Sequence, residues 1–301
     1  MFAPGNRSDL IEKLPRTQPD AVVIDLEDAI PSNETAKTQA RDIARDSILK
    51  LLALKPNCAV FIRLNAVTSP WFHADLQTAL GLDLTGIVIP KLERPEQLGF
   101  FDLEGRNLEM IAGIETALGV ENVRDILRPP ITAAYFGAED FIADMNGIRT
   151  PESLEVLYAR SQVVLAARVR GVQALDIIEA KFRDLEAFRS SAAMGRSLGY
   201  SGKMCIHPDQ VAIANEVFSP SISELERAKK LLEAYQAAAI SGTGVIEFDG
   251  QMMYEPMLTR ARAMLEFEDH PSVSFLDPKH APDVQGRFVA TSPARGGDQK
   301  H

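Results

Sequence analysis

Short apolar runs of four to seven residues recur through the first two-thirds of the chain, each followed by a polar loop and a longer stretch with helical periodicity. This alternation most constrains the fold, because parallel strands need a crossover and a helix supplies it. The runs are Met1 to Pro4, Ala21 to Leu26, Val60 to Leu64, Gly86 to Pro90, Leu108 to Ile114, Ile131 to Phe136, Val172 to Leu175 and Lys203 to Ile206. Amphipathic stretches lie between them, among them Thr35 to Leu54, Ala74 to Leu80, Pro151 to Arg170 and Asp184 to Leu198. Eight such units predict an α/β protein with a (β/α)8 TIM barrel over residues 1–220, a fold of about 250 residues as a rule. A doubly wound open sheet is the alternative, but it commonly carries a GxGxxG turn after an early strand, and this chain has none.

Beyond the eighth run, Ser221 to Ala239 reads as a helix with Ser at its start and Gly242 past its end. A strand-like VIEFDG and a helical EPMLTRARAMLEFE complete a C-terminal helical extension over 221–268. Residues 269–301 mix Pro, Gly, Ser and charge and are expected to form a loosely ordered tail without chemistry.

A net charge of −10 argues against a nucleic-acid partner or an anionic membrane surface, so any anion site must be local. No apolar run is long enough to span a bilayer and no secretory leader pattern is visible. The two cysteines, Cys58 and Cys205, lie in apolar runs without CxxC spacing. A reduced, cytoplasmic protein is expected.

The chemistry lies in how the runs end. In a barrel, side chains at the C-terminal ends of the strands surround the active site. Here those ends bring Arg7, then Asp25, Glu27 and Asp28, then Arg63 and Asn65, Lys91, Glu115 and Thr116, Glu139 and Asp140, Asp176, and His207. So many carboxylates cannot be buried unpaired, since desolvation costs several kcal/mol each. A hard cation is an economical solution, and Mg²⁺ takes one or two carboxylates with water or substrate filling its remaining positions. Of five histidines, three (His270, His280 and His301) lie in or beside the tail, and no HxH or HxxxH pair exists, which disfavours zinc. His207 is read as a hydrogen-bonding residue at a strand end. Lys91 could form a Schiff base in principle, but a lysine among carboxylates keeps its proton. No GxSxG elbow is present, and neither cysteine has an evident histidine partner in the local sequence.

The segments FAPGNRSDLIEK, AVVIDLEDAIP, VFIRLNAVTSPW, GIVIPKLERPEQL, GIETALGV, YFGAEDFIADM, GKMCIHPDQVAIANEVFSPS and GTGVIEFDGQMMYEPMLTRARAML resemble the citrate lyase β-subunit-like (CitE-like) branch of the HpcH/HpaI aldolase superfamily. The resemblance implies a Mg²⁺-dependent barrel enzyme (Mn²⁺ being the alternative metal), a homo-oligomer (trimer or hexamer) whose C-terminal extension packs on a neighbouring subunit. It acts on β-hydroxyacyl-CoA thioesters of citramalyl, malyl or citryl type. Carried over by position, Glu115 and Asp140 are the metal ligands, and Glu27 and Asp28 hold the metal's waters. Arg63 binds substrate, Glu139 and Asp140 line the acyl pocket, and Arg7, Lys13 and Phe2 hold the CoA part. The backbone near Val172 and Gln173 is expected to touch CoA. In members that hydrolyse malyl-CoA or make malate, a C-terminal DGKMIDxP motif supplies an Asp; here Tyr254 stands in its place, with Glu255 one residue off register. The resemblance therefore implies a lyase without efficient thioesterase or malate synthase activity. Two further readings stay open: the β-subunit of a citrate lyase complex working on a carrier-bound substrate, and a metal-dependent aldolase on free keto-acids.

Overall fold

A computed structural model describes residues 1–101, 103, 105–240 and 244–269. Eight strands pair in sequence order, all parallel: β1 (Phe2–Pro4), β2 (Ala21–Asp25), β3 (Ala59–Arg63), β4 (Gly86–Ile89), β5 (Glu109–Ile114), β6 (Ile131–Phe136), β7 (Gln173–Asp176) and β8 (Gly202–Lys203). The curl closes where the Phe2 N–H donates to the Cys205 carbonyl at 2.9 Å. The expected (β/α)8 barrel is thus present, and its strands fall within one or two residues of the predicted runs except at the end. There β8 stops at Lys203, because the Gln210 side chain accepts the Ile206 and His207 N–H groups and turns the chain into the helix Pro208–Phe218.

The strand period of two sends alternate residues inward and outward. Val23, Phe61, Val88, Ile111, Tyr135 and Met204 fill the barrel interior. A larger apolar layer, including Ile24, Ile62, Ile87 and Phe136, packs against the surrounding helices. The helix Glu34–Ala53 shows how the sequence sets this up. Asn33 caps it by accepting the Ala36 N–H at 2.9 Å, and Ala40, Ala44, Ser47, Ile48 and Leu51 form its buried stripe.

The extension forms its own small core. The helix Ile222–Ile240, a hairpin of β9 (Ile246–Phe248) and β10 (Gln251–Met253), and the helix Glu255–Asp269 meet around Leu231, Met253, Leu258 and Ala261. That last helix takes in Asp269, the first residue of the expected tail. Gly242 and the remainder of the tail lie outside the described residues. Among the described residues, no helix is long and apolar enough to cross a membrane. Both cysteines are free thiols.

Candidate active site

Asp25 and Arg63 are register partners at the ends of β2 and β3, so both side chains point into the barrel mouth. They meet fork to fork: Arg63 Nε and Nη2 each donate to one Asp25 oxygen at 2.7 Å. The same carboxylate accepts the Glu27 and Ala29 N–H groups at 2.8 and 3.1 Å, which shapes the turn carrying Glu27 and Asp28. Burial raises the proton affinity of Asp25, but Arg63 and these donors outweigh it and hold Asp25 below its ordinary value. For Arg63, burial opposes the charge, yet Asp25 holds the guanidinium well above its usual range. Phe2 lies beneath, its ring 5.5 Å from the guanidinium carbon.

Around this pair the remaining charges converge. Arg63 Nη1 lies 3.0 Å from Glu27 Oε2 and 3.7 Å from Asp28 Oδ2. Lys91 Nζ lies 2.7 Å from Glu27 Oε1, 3.4 Å from Asp28 Oδ1 and 3.2 Å from Asp140 Oδ1. Lys91 adopts a left-handed backbone, φ 52°, as the chain leaves β4. Burial alone would weaken its hold on the proton, but the hydrogen bond and charge of Glu27, with Asp28 and Glu115, raise it. The Schiff-base role is therefore disfavoured by geometry as well as by composition.

Glu115 follows β5 and is buried, 1 % exposed. Its Oε1 accepts a hydrogen bond from the Tyr135 phenol, and its Oε2 is buried with no hydrogen-bond partner. Burial pushes this carboxyl up to about 7, against the opposing pull of Arg63 and Tyr135. Burial likewise pushes Glu27 up to about 8, in spite of Arg63. An orphaned carboxylate oxygen beside a second carboxylate, Asp140, fits a hard divalent cation. Among the described residues no group of three or more His, Cys, Asp or Glu side chains is arranged to hold a metal. A two-carboxylate Mg²⁺ site, completed by water or substrate, does not need one.

Several expected residues do not join this group. Glu139 and Asp140 are neighbours in the first turn of the helix Ala138–Asp144, where successive side chains diverge by about 100°. Asp140 faces Lys91, whereas Glu139 Oε1 faces Arg149 Nε at 3.4 Å. Arg7 is exposed and pairs with Asp9, and Lys13 is exposed on the same rim. Val172 and Gln173 stand where β7 begins, at the opposite end of the barrel from Arg63.

The expectation that every strand end converges on the mouth is corrected at four positions. Asp176 points outward into a sealed pair with Arg160. Asn65 is buried behind the strands, donating to Asp75 and the Leu26 carbonyl. Thr116 caps the helix Ala117–Glu121 by accepting the Gly119 N–H. His207 Nδ1 accepts the Asp209 N–H at 3.3 Å, a hydrogen-bonding role at a helix start rather than a strand end.

Two residues of the site escape sequence reading. Tyr135 looks like part of an apolar strand; only its cross-strand register opposite Gly113, which a linear reading does not give, sets it against Glu115. Lys37, on the buried stripe of the helix Glu34–Ala53, donates from Nζ to the Leu26 and Glu27 carbonyls and to Asn65 Oδ1 at 2.7–2.8 Å. It clamps the turn that presents Glu27, and its signal was a charge at an apolar helix phase.

The family model for HpcH/HpaI aldolase/citrate lyase matches residues 1–208. A citrate lyase subunit beta-like protein from Deinococcus radiodurans is 53% identical over 274 residues, covering 89% of this chain and 96% of its own. Mitochondrial citramalyl-CoA lyase from Homo sapiens is 31% identical, covering 87% of this chain and 82% of its own. The crystal structure of CitE from Mycobacterium tuberculosis in complex with magnesium, acetoacetate and coenzyme A superimposes with a TM-score of 0.75 at 30% identity, covering 88% of this chain and 95% of that one.

Proposed function

The chain belongs to the HpcH/HpaI aldolase/citrate lyase family, and from that membership we propose that it is a Mg²⁺-dependent carbon–carbon lyase. Its substrate would be a β-hydroxyacyl-CoA thioester of citramalyl, malyl or citryl type, cleaved to a keto acid and a short acyl-CoA. The observation that carries the reading is the buried, unpartnered Oε2 of Glu115 beside Asp140 and Arg63. The relatives support the substrate class, one being named a citramalyl-CoA lyase and another holding magnesium with coenzyme A.

In the cleavage, the bond between the carbinol carbon and the carbon α to the thioester breaks. Its electron pair passes to the thioester as an enolate, while the hydroxyl loses its proton and becomes the ketone. Glu115 and Asp140 would hold the Mg²⁺ (or Mn²⁺), which supplies Lewis-acid polarisation of the substrate's hydroxyl and carboxylate oxygens. Arg63 faces the developing enolate charge. Asp25 engages two of its five N–H donors, leaving donors for a substrate oxygen in a direction fixed before substrate arrives. Glu27 and Asp28 occupy the outer positions, where Arg63 and Lys91 hold them at the mouth and an outer carboxylate is placed to take up the hydroxyl proton. Glu139, tied to Arg149, borders the acyl pocket from the outside. Arg7 and Lys13 on the rim, with Phe2 beneath Arg63, form the side to which the CoA part binds.

Tyr254, just before the last helix, replaces the Asp expected for thioester hydrolysis, and Glu255, the first helical residue, is one residue off register, about 100° away around the helix. The enzyme is therefore a lyase without efficient thioesterase or malate synthase activity; rapid free-thiol release from malyl-CoA, with malate as the other product, would contradict this. The exposed Val245, Met252, Tyr254 and Met257 leave apolar surface on the extension, in keeping with a neighbouring subunit of a cytoplasmic homo-oligomer, trimer or hexamer, measurable by light scattering.

The test of the reading is keto-acid release from a panel of acyl-CoA substrates with Mg²⁺, repeated on Asp140→Ala. Loss of turnover in the variant is expected, and equal turnover would sink the metal assignment. Activity on free keto-acids alone, or only on a carrier-bound acyl group, would select the other family activities.

A further inference from the structure

The carboxylate of Glu115 is confined on three sides. Gly113 and Tyr135 are register partners on β5 and β6, and the strand period puts Gly113, Glu115 and Tyr135 on the same inward face. Because Gly113 has no side chain, the Tyr135 ring crosses over it to reach Glu115. A Cβ at position 113 would fall 2.5 Å from Tyr135 Oη and 2.6 Å from Glu115 Oε1. A Cβ at position 137 would fall 2.5 Å from Glu115 Cγ. The two glycines and the buried phenol therefore leave Glu115 one orientation, in which Oε1 is engaged by Tyr135 and Oε2 is free. Asp140 repeats the pattern more loosely, since one of its oxygens faces Lys91 Nζ at 3.2 Å.

We propose that Tyr135 is a positioning residue that restricts Glu115 to single-oxygen ligation and thereby sets the site's preference for a small octahedral cation over Ca²⁺. The inference rests on the metal reading given above. The two cations differ in what they ask of a carboxylate. Mg²⁺ demands near-octahedral geometry with ligands at about 2.0–2.1 Å and is served by single oxygens, whereas Ca²⁺ gathers about 6–8 oxygens and readily takes both from one carboxylate. A phenol hydrogen-bonded to Oε1 competes with the second mode and leaves the first intact. Removing a group that orients a ligand typically weakens metal binding by about 10–100-fold. Here the loss falls on one cation more than on the other, because the freed oxygen becomes a new ligand for Ca²⁺ alone.

The experiment is calorimetric titration of the full chain with Mg²⁺ and, separately, with Ca²⁺, for the wild type, Tyr135→Phe, Gly113→Ala and Tyr200→Phe. The first two variants remove or displace the phenol. The third removes another buried phenol, one that donates to the Arg160 carbonyl away from the mouth. The wild type should prefer Mg²⁺. Tyr135→Phe and Gly113→Ala should each shift the Ca²⁺ to Mg²⁺ affinity ratio towards Ca²⁺, by about tenfold or more for Tyr135→Phe, and Tyr200→Phe should leave it unchanged. An unaltered ratio in Tyr135→Phe, including equal weakening for both ions, overturns the proposal. A wild type that binds no Mg²⁺ overturns the metal reading beneath it instead.

Discussion

Two buried charge clusters stand on opposite sides of the same sheet. At the mouth, Asp25 grips Arg63 and the surplus of charge runs on through Glu27, Lys91 and Asp140 to partly exposed groups. Behind β7 and β8, Asp176 grips Arg160 with the same fork geometry at 2.6–2.7 Å, and Lys203 Nζ completes a triad at 3.3 Å. The rear cluster is closed: Arg160 also donates to the Ser191 carbonyl, Lys203 to Ser191 Oγ, and a Cβ at Gly195 would strike Asp176. What separates the two is not residue type but strand parity. Asp25 faces inward where eight strand ends meet, while Asp176 faces outward between helices.

The sharpest test of this division substitutes the arginine in each. Arg63→Met should strand Asp25, lowering stability by about 3–5 kcal/mol and kcat by about 10²–10³-fold. Arg160→Met should cost a similar about 3–5 kcal/mol in denaturant melts while leaving kcat/KM of the folded protein unaltered. A kinetic defect in the second variant would dissolve the distinction.

A pH series should tell the mouth from the rest of the chain. Glu115 and Glu27 are raised from 4.5 to about 7 and about 8, so between those values the folded chain binds more protons than the unfolded one. The contribution of these two carboxyls to the stability of the chelator-treated protein should be fullest below about pH 4.5 and be lost as pH rises through about 7 to 8, while carboxyls held low, such as Asp25, weaken the fold at more acidic pH. Added Mg²⁺ should offset the fall, because the metal binds the deprotonated form. A flat melting temperature across this window would show that these carboxyls are not raised. The smallest effect is expected from Lys91→Gln. Its ammonium keeps 28% exposure and the amide keeps a hydrogen-bond donor, so the stability loss should stay below the about 3–5 kcal/mol of a fully buried pair, with a further response in metal affinity by titration.

These comparisons also explain what the sequence could reveal. The strand runs were legible because period-two and period-3.6 patterns are local, and Ile131 to Phe136 was found to the residue. The proposed metal ligands Glu115 and Asp140 were reachable from strand ends and motif together. Asp176 and Asn65 looked identical to them in a linear reading, since which way a terminal side chain points depends on register with the next strand. Tyr135 and Lys37 were hidden for the reverse reason. Each occupies a position where an apolar residue would satisfy the pattern, and each acts through a partner distant in sequence.

The closure between β1 and β8 has a mechanical consequence. β8 is two residues long and the first strand meets the chain just past it through the Phe2 to Cys205 bond, whereas β5 and β6 pair at five positions, with one register shift between Met110 and Ile111. Regions of few backbone bonds open at lower free energy than well-paired strands. The wall that carries Glu115 and Tyr135 is thus the anvil of the barrel, and the wall that carries Phe2 and the Arg7 rim is its seam. A long, flexible thioester entering along the seam would meet the part of the cylinder that gives, while its reacting end is held against the part that does not.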